Sequence, residues 1–240
     1  METNLSIILP CYNEEKNIIH VFNEFKKIQF SKEFIIELIL VENGSTDNTE
    51  KEIDKNIADF NSENIVIKKI KISKNDGYGG GIKAGINKST GEFIAWAHAD
   101  LQTPLEDIYK IFLLMKNDKN SFGKGYRTNN RGYDGIISRL HEKLASLILG
   151  QKMCEINAQP KIFHKSLIIN LNSIPKKWTL IDTYIYFLAL KNKKKIYEIN
   201  VVFKNRIYGH SKWKNNFKAF LKHLFFNFVY LFKLRFGNLK

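Results

Sequence analysis

Two polar side chains that could bind a cation or a phosphate follow an apolar run near the middle of the sequence. Residues 95–104 read AWAHADLQTP, so Asp100 and Gln102 come directly after the run at 92–99. A carboxylate beside a buried run costs desolvation free energy unless it is paired or binds a cation. Ligands of parallel sheets bind beyond the carboxyl ends of the strands. We therefore expect Asp100 to bind a metal ion or a nucleotide rather than to serve only the structure.

The residues that follow have a structural explanation. Thr103, Pro104 and Glu106 have the spacing of a capping box, with threonine as the N-cap, proline at the first helical position and glutamate three residues after the cap. The sequence therefore predicts a helix N-cap at Thr103. This explanation leaves Asp100 and Gln102 without a structural role.

A glycine-rich segment, NDGYGGGIKAGI at 75–86, could also approach a phosphate closely. It lacks the Lys-Ser or Lys-Thr pair of a P-loop. Gly79, Gly81 and Ala84 match a GxGxxA dinucleotide fingerprint, but that fingerprint normally lies in the first strand-to-helix turn, which here reads PCYNEEKN. We favour a simpler interpretation, a turn before a small-residue helix that packs close to the sheet.

A basic segment, RIYGHSKW at 206–213, follows the last apolar strand pattern. It carries Arg206 and Lys212 together with Gly209, and cations on a mobile loop can close over a diphosphate and neutralise its charge as it departs. A surface loop before a helix explains the same residues equally well.

The elements that must position these residues alternate between strands and helices. Apolar runs predict strands at 5–9, 34–42, 65–72, 92–99, 121–127, 160–164 and 195–205. Helical spacing is found at 13–28, 47–60, 81–89, 134–149, 180–190 and 213–236. This alternation predicts an α/β fold with a mainly parallel sheet flanked by helices. The loops after the first, second and fourth strands should then form a cleft for a phosphate-bearing ligand.

The composition favours an anionic partner. The chain of 240 residues is large enough for one α/β core with an added C-terminal element, and its net charge is +14 with a pI of about 9.6. Nucleic acid, an anionic membrane surface or a phosphorylated substrate could supply the opposite charge. Cys11 and Cys154 form no CxxC motif, which argues against a disulfide framework and favours a reducing cytoplasm. The N-terminal apolar run, about five residues, is too short for a signal peptide.

Five segments, taken in order, resemble family 2 glycosyltransferases with the GT-A fold, most closely the polyprenyl-phosphate branch typified by dolichol-phosphate-mannose enzymes. They are SIILPCYNEEKNI, LILVENGSTDNT, NDGYGGGIKAGINKSTGEFIAWAHADLQTP, GKGYR and EINVVFKNRIYGHSKW, and they span roughly residues 5–213. The resemblance implies transfer of a sugar from a nucleotide diphosphate donor to an acceptor, with Mg²⁺ or Mn²⁺ and with inversion at the anomeric carbon.

The resemblance also implies a role for each residue that matches a family motif. The residues expected to line the nucleotide pocket are Pro10, Tyr12, Glu14, Val41 and Asn43. The residues expected at the diphosphate and its metal ion are His98, Ala99, Asp100 and Gln102. The basic residues expected to bind the diphosphate or an acceptor phosphate are Arg127, Arg139, Arg206 and Lys212. Among these, we expect Asp100, Arg206 and Lys212 to contribute to catalysis, because cations offset the charge of a departing diphosphate.

Three departures from the family pattern stand out. His98 replaces the first acid of the usual DADLQ, and Glu42 and Asn43 replace the paired acids after the second strand. INAQPKIF at 156–163 replaces the acceptor-side segment, so the acceptor cannot be carried over from the family. Hard cations such as Mg²⁺ prefer oxygen ligands, whereas Mn²⁺ accepts imidazole more readily. We predict that Asp100 is the direct metal ligand, and that His98 either ligates weakly or hydrogen-bonds the ribose or a phosphate.

Asp182 bears on the choice of acceptor. It occupies roughly the place where relatives that glycosylate hydroxyl groups carry an acid, and a hydroxyl acceptor needs a general base, whereas a lipid phosphate is already ionised. A carboxylate in the opening turn of a helix also stabilises the helix dipole. Both interpretations of Asp182, catalytic base and helix stabiliser, remain open from the sequence.

The C-terminal segment has an amphipathic pattern. Phenylalanine and leucine recur at helical spacing across 217–231, with lysine and arginine beside them, and the uncharged stretch at 224–232 is too short to span a bilayer. A helix lying in the membrane interface is one interpretation, and a helix that covers the domain or joins two copies is the other. We divide the chain into a glycosyltransferase domain at 1–213 and this helix at 214–240.

The function predicted from the sequence is an inverting, metal-dependent glycosyltransferase. We expect a nucleotide-sugar donor, a polyprenyl phosphate acceptor, and a peripheral position on the anionic inner face of the plasma membrane. Transfer to a glycan hydroxyl is the alternative within the same fold. A basic nucleic-acid-binding protein is the alternative from another class, but it would leave Asp100 and Gln102 unexplained, so we expect no nucleic-acid partner.

Overall fold

The computed structural model describes residues 2–129, 132–176, 180–206, 208 and 217–237. The described strands are β1 (Leu5–Cys11), β2 (Ile36–Asn43), β3 (Ile65–Ile72), β4 (Phe93–Trp96), β5 (Ser121–Arg127), β6 (Lys161–His164) and β7 (Lys195–Val201). The described α-helices are α1 (Glu15–Lys27), α2 (Thr49–Ala58), α3 (Gly77–Lys88), α4 (Glu106–Met115), α5 (Gly132–Leu149), α6 (Leu180–Lys191) and α7 (Phe217–Phe236).

The strands form one sheet in the order β3-β2-β1-β4-β6-β5-β7. Strand β6 is antiparallel to β4 and β5, and the other neighbouring strands are parallel. The predicted α/β fold with a mainly parallel sheet is therefore confirmed. Because β2, β1 and β4 are parallel neighbours, their carboxyl ends lie side by side at the same end of the sheet.

Helices cover both faces of the sheet. One core cluster contains apolar side chains of α1, α2 and α4, and the other contains side chains of α3, α5, α6 and α7. Every residue of β2 is buried and only Pro10 of β1 is partly exposed, which suits mostly apolar strands that are covered on both faces. Strand β3 at the sheet edge carries Lys68, Lys69 and Lys71, and lysines on an edge strand discourage pairing with another chain.

Helix α3 packs close to β1, as the small-residue interpretation predicted. A Cβ atom on Gly85 would lie 2.3 Å from Cγ2 of Ile8, so only glycine allows this approach. The helix begins at Gly77, four residues before the predicted start, and Gly77 adopts a positive φ of 77°. The glycine-rich segment is thus mostly helix rather than a flexible phosphate loop.

The strand predicted at 195–205 ends at Val201, and two predictions near Asp100 were also wrong. The strand predicted at 92–99 ends at Trp96, and Leu101 adopts a φ of 56°, so the backbone turns before and after Asp100. The capping box is absent, because α4 begins at Glu106 and the Thr103 hydroxyl is buried without a hydrogen-bond partner among the described residues. The carbonyls of Pro104 and Leu105 accept from Asp107 and Ile108 instead, forming the first turn without a side-chain cap.

The last helix lies at 217–236, and residues 213–216 of the predicted range are outside the described part of the chain. Its Leu231 and Leu234 are buried in the core cluster that also contains residues of α5 and α6. A search of the described helices for one long and apolar enough to cross a membrane found none. The division of the chain after residue 213 stays a prediction.

Candidate functional site

The loops after β1 and β2 are joined by hydrogen bonds between their backbone and side chains. The Glu14 N–H donates to Thr49 Oγ1 at 2.8 Å, and the Thr46 N–H donates to Asn13 Oδ1 at 2.9 Å. Asn13 holds a positive φ of 57°, which an asparagine tolerates better than most residues. These bonds fix the position of Glu14 at the carboxyl end of β1, near the loop that follows β4.

Asp100 lies in that next loop and is buried, with 4% of its surface exposed. Its Oδ2 lies 3.0 Å from Nε of Arg206, and its Oδ1 accepts from the Gln102 N–H at 3.2 Å. Arg206 Nε also donates to Gln102 Oε1 at 3.1 Å. A buried carboxylate requires a cation, and Arg206 supplies it in this structure. The predicted contact of Asp100 with a metal ion or a nucleotide stays a prediction.

The segment after β7 folds back across this site. The Lys204 N–H donates to the Gln102 carbonyl at 2.7 Å, and Gln102 Nε2 donates to the Lys204 carbonyl at 3.0 Å. Farther along, the ring of Tyr208 stacks on His20 of α1, with centroids 5.8 Å apart. The contacts of Lys204 and Tyr208, on either side of Arg206, thus hold this segment where Arg206 reaches Asp100.

Glu14 belongs to the same electrostatic cluster. Burial raises the pKa of its carboxyl group, and the negative charge of Asp100 raises it further, while Asn17 and Arg206 act in the opposite direction. A Glu14 carboxyl group whose ionisation is disfavoured by burial and by the charge of Asp100, with the Arg206 guanidinium near both acids, forms a site that gains from an additional cation.

The donor set fits a divalent cation only in part. Asp100, Glu14 and Gln102 offer oxygen atoms, which Mg²⁺ and Mn²⁺ accept. Within the described ranges, however, no group of three or more His, Cys, Asp or Glu side chains is placed to hold a metal ion. Protein sites for Mg²⁺ often use one or two carboxylates and complete the shell with substrate phosphates. The residues therefore fit a cation that arrives with a diphosphate.

His98 is held by an aromatic stack. Its ring lies over Tyr78 of α3, with centroids 5.0 Å apart and planes inclined by 21°. The Tyr78 hydroxyl in turn accepts from Nε2 of Gln159 at 3.0 Å. The orientation of His98 is therefore set by two residues from other parts of the chain. Its contact with a metal ion, a ribose or a phosphate stays a prediction.

Asp182 lies in a buried polar network beneath this stack. Its Oδ1 accepts from Gln159 Nε2 at 2.9 Å and from Trp96 Nε1 at 3.3 Å, and lies 3.9 Å from Nζ of Lys161. Burial raises the pKa of Asp182, against the opposing effect of Lys161. Burial lowers the pKa of Lys161 to about 7, although Asp182 opposes the shift. Asp182 Oδ2 is buried and has no hydrogen-bond partner among the described residues.

The residues predicted for the nucleotide pocket lie around the ends of β1 and β2. Pro10 and Val41 are partners in the sheet register, and Tyr12 follows in the next loop. The Asn43 amide is already engaged, since its Nδ2 donates to the Gly77 carbonyl at 2.9 Å and its Oδ1 accepts from Asp76 at 3.1 Å. Asn43 therefore positions the start of α3, and contact of these residues with a nucleotide stays a prediction.

The predicted phosphate-binding residues are not all brought together. Arg127, at the end of β5, is buried and its Nε donates to Glu155. Arg139 is exposed on α5, Ala99 is buried beside Asp100, and Lys212 lies outside the described residues. The structure thus joins Asp100, Gln102 and Arg206 in one site, and gives Arg127 a carboxylate partner of its own.

Sequence reasoning missed Tyr78, Gln159 and Lys161. Tyr78 was assigned to a glycine-rich turn, and the other two lie in the segment that departs from the family pattern. One signal was available for Lys161, because a lysine inside the short apolar run PKIFH must either face solvent or find a buried partner. The sequence did not indicate that this partner is Asp182.

The sequence matches one family model and is similar to known proteins. A model of glycosyl transferase family 2 matches residues 6–171. The chain is 26% identical over 210 residues to the undecaprenyl-phosphate 4-deoxy-4-formamido-L-arabinose transferase of Proteus mirabilis, covering 87% of this chain and 62% of that protein. It is 25% identical over 241 residues to the dodecaprenyl-phosphate galacturonate synthase of Rhizobium johnstonii, covering 98% of this chain and 69% of that protein.

A solved structure shows the same fold. The mannosyltransferase of Pyrobaculum calidifontis, in complex with GDP-Man and Mn²⁺, superposes with a TM-score of 0.67 over 96% of this chain and 64% of that chain, at 14% identity. The chain thus spans a little under two thirds of the first relative and of this structure, at 62% and 64% of their lengths.

Proposed function

The chain belongs to glycosyl transferase family 2, and from this premise we propose that it transfers a sugar from a nucleotide diphosphate donor to a polyprenyl phosphate, with inversion at the anomeric carbon. The observation that carries the proposal is the convergence of Asp100, Glu14, Gln102 and Arg206 where β1 and β4 end. The relatives named for undecaprenyl and dodecaprenyl phosphate support the choice of acceptor.

In this proposal the donor lies across the carboxyl ends of β1, β2 and β4. Pro10, Tyr12 and Val41 line the nucleotide, and Asp100 holds Mg²⁺ or Mn²⁺ with Glu14 and Gln102 close by. A divalent cation bound there offsets the negative charge that develops on the departing diphosphate. Arg206, which lies beside Asp100, would contact the diphosphate and place a further positive charge next to it.

The acceptor is proposed to be a lipid phosphate because the one acid in the expected position is poorly placed as a base. A general base must come within hydrogen-bond reach of the acceptor proton. Asp182 is 1% exposed, and its Oδ1 is occupied by Trp96 and Gln159. A phosphate acceptor is already ionised and attacks without such a base, which suits this arrangement.

One observation favours the alternative, transfer to a glycan hydroxyl. Asp182 Oδ2 has no hydrogen-bond partner within the described part of the chain, so it could accept a proton from a hydroxyl that reaches it. Asp182→Asn separates the two functions. It should abolish transfer to a hydroxyl but leave transfer to a lipid phosphate within a few-fold of the unmodified protein.

A peripheral position on the inner face of the plasma membrane follows from the acceptor, which resides in the bilayer. The basic, phenylalanine-rich helix α7 supports this position, because such helices lie in the interface of anionic membranes. The proposal includes no nucleic-acid partner.

The test is a screen of nucleotide sugars with undecaprenyl phosphate in Mg²⁺ or Mn²⁺, read by mass spectrometry of the lipid-linked product. The expected result is one donor that gives product only with a divalent cation, with the opposite anomeric configuration by NMR. Product from a glycan hydroxyl but not from the lipid phosphate would favour the alternative acceptor.

A further inference from the structure

Helix α7 presents a row of aromatic side chains to solvent. Phe225, Phe228, Phe232 and Phe236 recur at intervals of three and four residues, and their exposed fractions are 65%, 43%, 41% and 75%. The opposite side of the helix is buried in the core through Leu231 and Leu234. Four exposed phenylalanines in line on one helix are unusual for a surface that faces only water.

Helix α5 presents a second apolar row, which the sequence had not indicated. Ile136, Leu140 and Leu147 are exposed by 57%, 66% and 81%. Ala145 and Leu149, on the other side of the helix, are buried in the same core cluster as Leu231 and Leu234. Both rows therefore point away from one shared core.

The two helices are neighbours in one layer. They pack against each other, and Arg235 Nη1 of α7 donates to the carbonyl of Leu149, the last residue of α5, at 3.4 Å. Because their buried sides contribute to one cluster, the exposed rows lie on the outer surface of this layer. We call the seven exposed side chains the apolar face: Ile136, Leu140, Leu147, Phe225, Phe228, Phe232 and Phe236.

Charged residues beside the apolar face are mainly positive. Arg139 and Lys143 are exposed on α5, and Lys233 and Arg235 are exposed on α7. The sequence from 214 to 240 has no Asp or Glu, and the Glu142 side chain of α5 is buried. The exposed acid on α5 is Asp134, near its first turn.

These charges select among the possible occupants of the face. A second copy of the chain would bring cations against cations, and a nucleic acid would leave the phenylalanines in water. An anionic lipid surface satisfies both features, since its headgroups pair with the cations and its acyl boundary receives the apolar side chains. We propose that α5 and α7 together form a docking face for an anionic bilayer.

The position of α5 connects this face with the site. Strands β4 and β5 are both antiparallel to β6, so they run parallel to each other. The carboxyl end of β5 therefore lies at the same end of the sheet as Asp100. Helix α5 begins five residues after that end. A bilayer on the apolar face would therefore lie next to the carboxyl ends of the strands, where Asp100 is found. The benefit of this arrangement rests on the proposed lipid acceptor, but the docking itself does not.

Vesicle binding by the full chain tests the proposal. The vesicles contain either phosphatidylcholine alone or phosphatidylcholine with phosphatidylglycerol. The variants are Leu140→Glu with Leu147→Glu on α5, and Phe228→Glu with Phe232→Glu on α7. The matched control is Leu114→Glu, because Leu114 of α4 is 54% exposed and lies on the other face of the sheet. Circular dichroism and thermal melting of every variant confirm that it folds.

The expected result is binding to the anionic vesicles that weakens in high salt, with at least a tenfold fall in affinity for each double variant and no change for the control. Wild-type affinity in the α5 variant, or equal binding of the unmodified chain to neutral vesicles, would overturn the proposal. So would a dimer in light scattering that the α5 variant dissociates, because a second copy would then occupy the face.

A short-chain, water-soluble polyprenyl phosphate separates this proposal from the proposed function. The α5 variant should transfer sugar to the short-chain acceptor as fast as the unmodified protein, and should lose transfer only to undecaprenyl phosphate in vesicles. If the unmodified protein binds anionic vesicles as expected but transfers no sugar to either acceptor, the proposed function fails and the docking face stands.

Discussion

The buried pair of Lys161 and Asp182 makes the stability of this protein depend on pH in a way that can be calculated. Lys161 is fully buried, and burial lowers its pKa from 10.5 to about 7. In the unfolded chain the amine keeps its ordinary pKa. Between these two values the unfolded state binds a proton that the folded state has lost, so the free energy of unfolding increases as the pH rises.

The magnitude follows from the two pKa values. From pH 7 to pH 9, linkage gives a gain of about 2 kcal/mol from Lys161 alone. Other titrating groups contribute as well, so the quantity to compare is the difference between the unmodified protein and Lys161→Met. Without Lys161, Asp182 loses the charge that lowers its pKa most, so its raised pKa rises further, which lowers the stability of the variant as the pH increases. The titration of Lys161 in the unmodified protein and that of Asp182 in the variant therefore both widen the difference in stability as the pH rises.

Urea denaturation at pH 7, 8 and 9, followed by circular dichroism, measures this difference. Between pH 7 and pH 9, the free energy of unfolding of the unmodified protein should increase by about 2 kcal/mol or more relative to that of Lys161→Met. Lys165→Met is the control, because Lys165 is exposed just after β6 and its replacement removes no buried amine. A difference that is the same at all three pH values would refute the assignment of Lys161 as a buried amine with a strongly lowered pKa.

Three further predictions concern the site and its support. Arg206→Gln removes the cation that pairs with buried Asp100, so it should lower the rate of sugar transfer by about 100-fold and also lower the melting temperature, as measured by initial rates and melting curves. His98→Asp restores a second carboxylate before Asp100 and should raise the ratio of activity in Mg²⁺ to activity in Mn²⁺, whereas an unchanged ratio would remove His98 from the neighbourhood of the cation. Gly85→Ala places a Cβ atom 2.3 Å from Ile8, so it should lower the free energy of unfolding by about 1–3 kcal/mol in urea, and a neutral result would contradict the close packing of α3 on β1.

The sequence predicted the sheet well where the apolar runs were long. Strands β1 and β2 are covered on both faces, so most of their residues are apolar, and their positions were correct within two residues. The ends of the elements were less predictable, because they depend on contacts with distant residues. Strand β4 ends at Trp96, and Gln102 in the loop after it accepts a hydrogen bond from Arg206, which lies far away in the sequence.

The site was predictable in part for a similar reason. The sequence singled out Asp100 and Gln102 because no local pattern, such as the capping box predicted beside them, accounted for a carboxylate and an amide after an apolar run. The network of Tyr78, Gln159 and Asp182 could not, since it joins α3, the segment before β6 and the start of α6. Nothing in the local pattern of these three segments specifies the order of strands that brings them together. The placement of antiparallel β6 beside β4 determines that contact.

The central claim is that Asp100 holds the divalent cation that binds the diphosphate of a sugar donor, and the most direct test compares Asp100→Asn with Asp107→Asn. Both residues are buried acids, and Asp107 lies on α4 beside Lys110. The measurement is the initial rate of lipid-linked sugar formation at saturating Mg²⁺ or Mn²⁺. The expected result is a loss of about 100-fold to 1,000-fold for Asp100→Asn and a change of less than about threefold for Asp107→Asn. A folded Asp100→Asn protein that retains the rate of the unmodified enzyme would contradict the account.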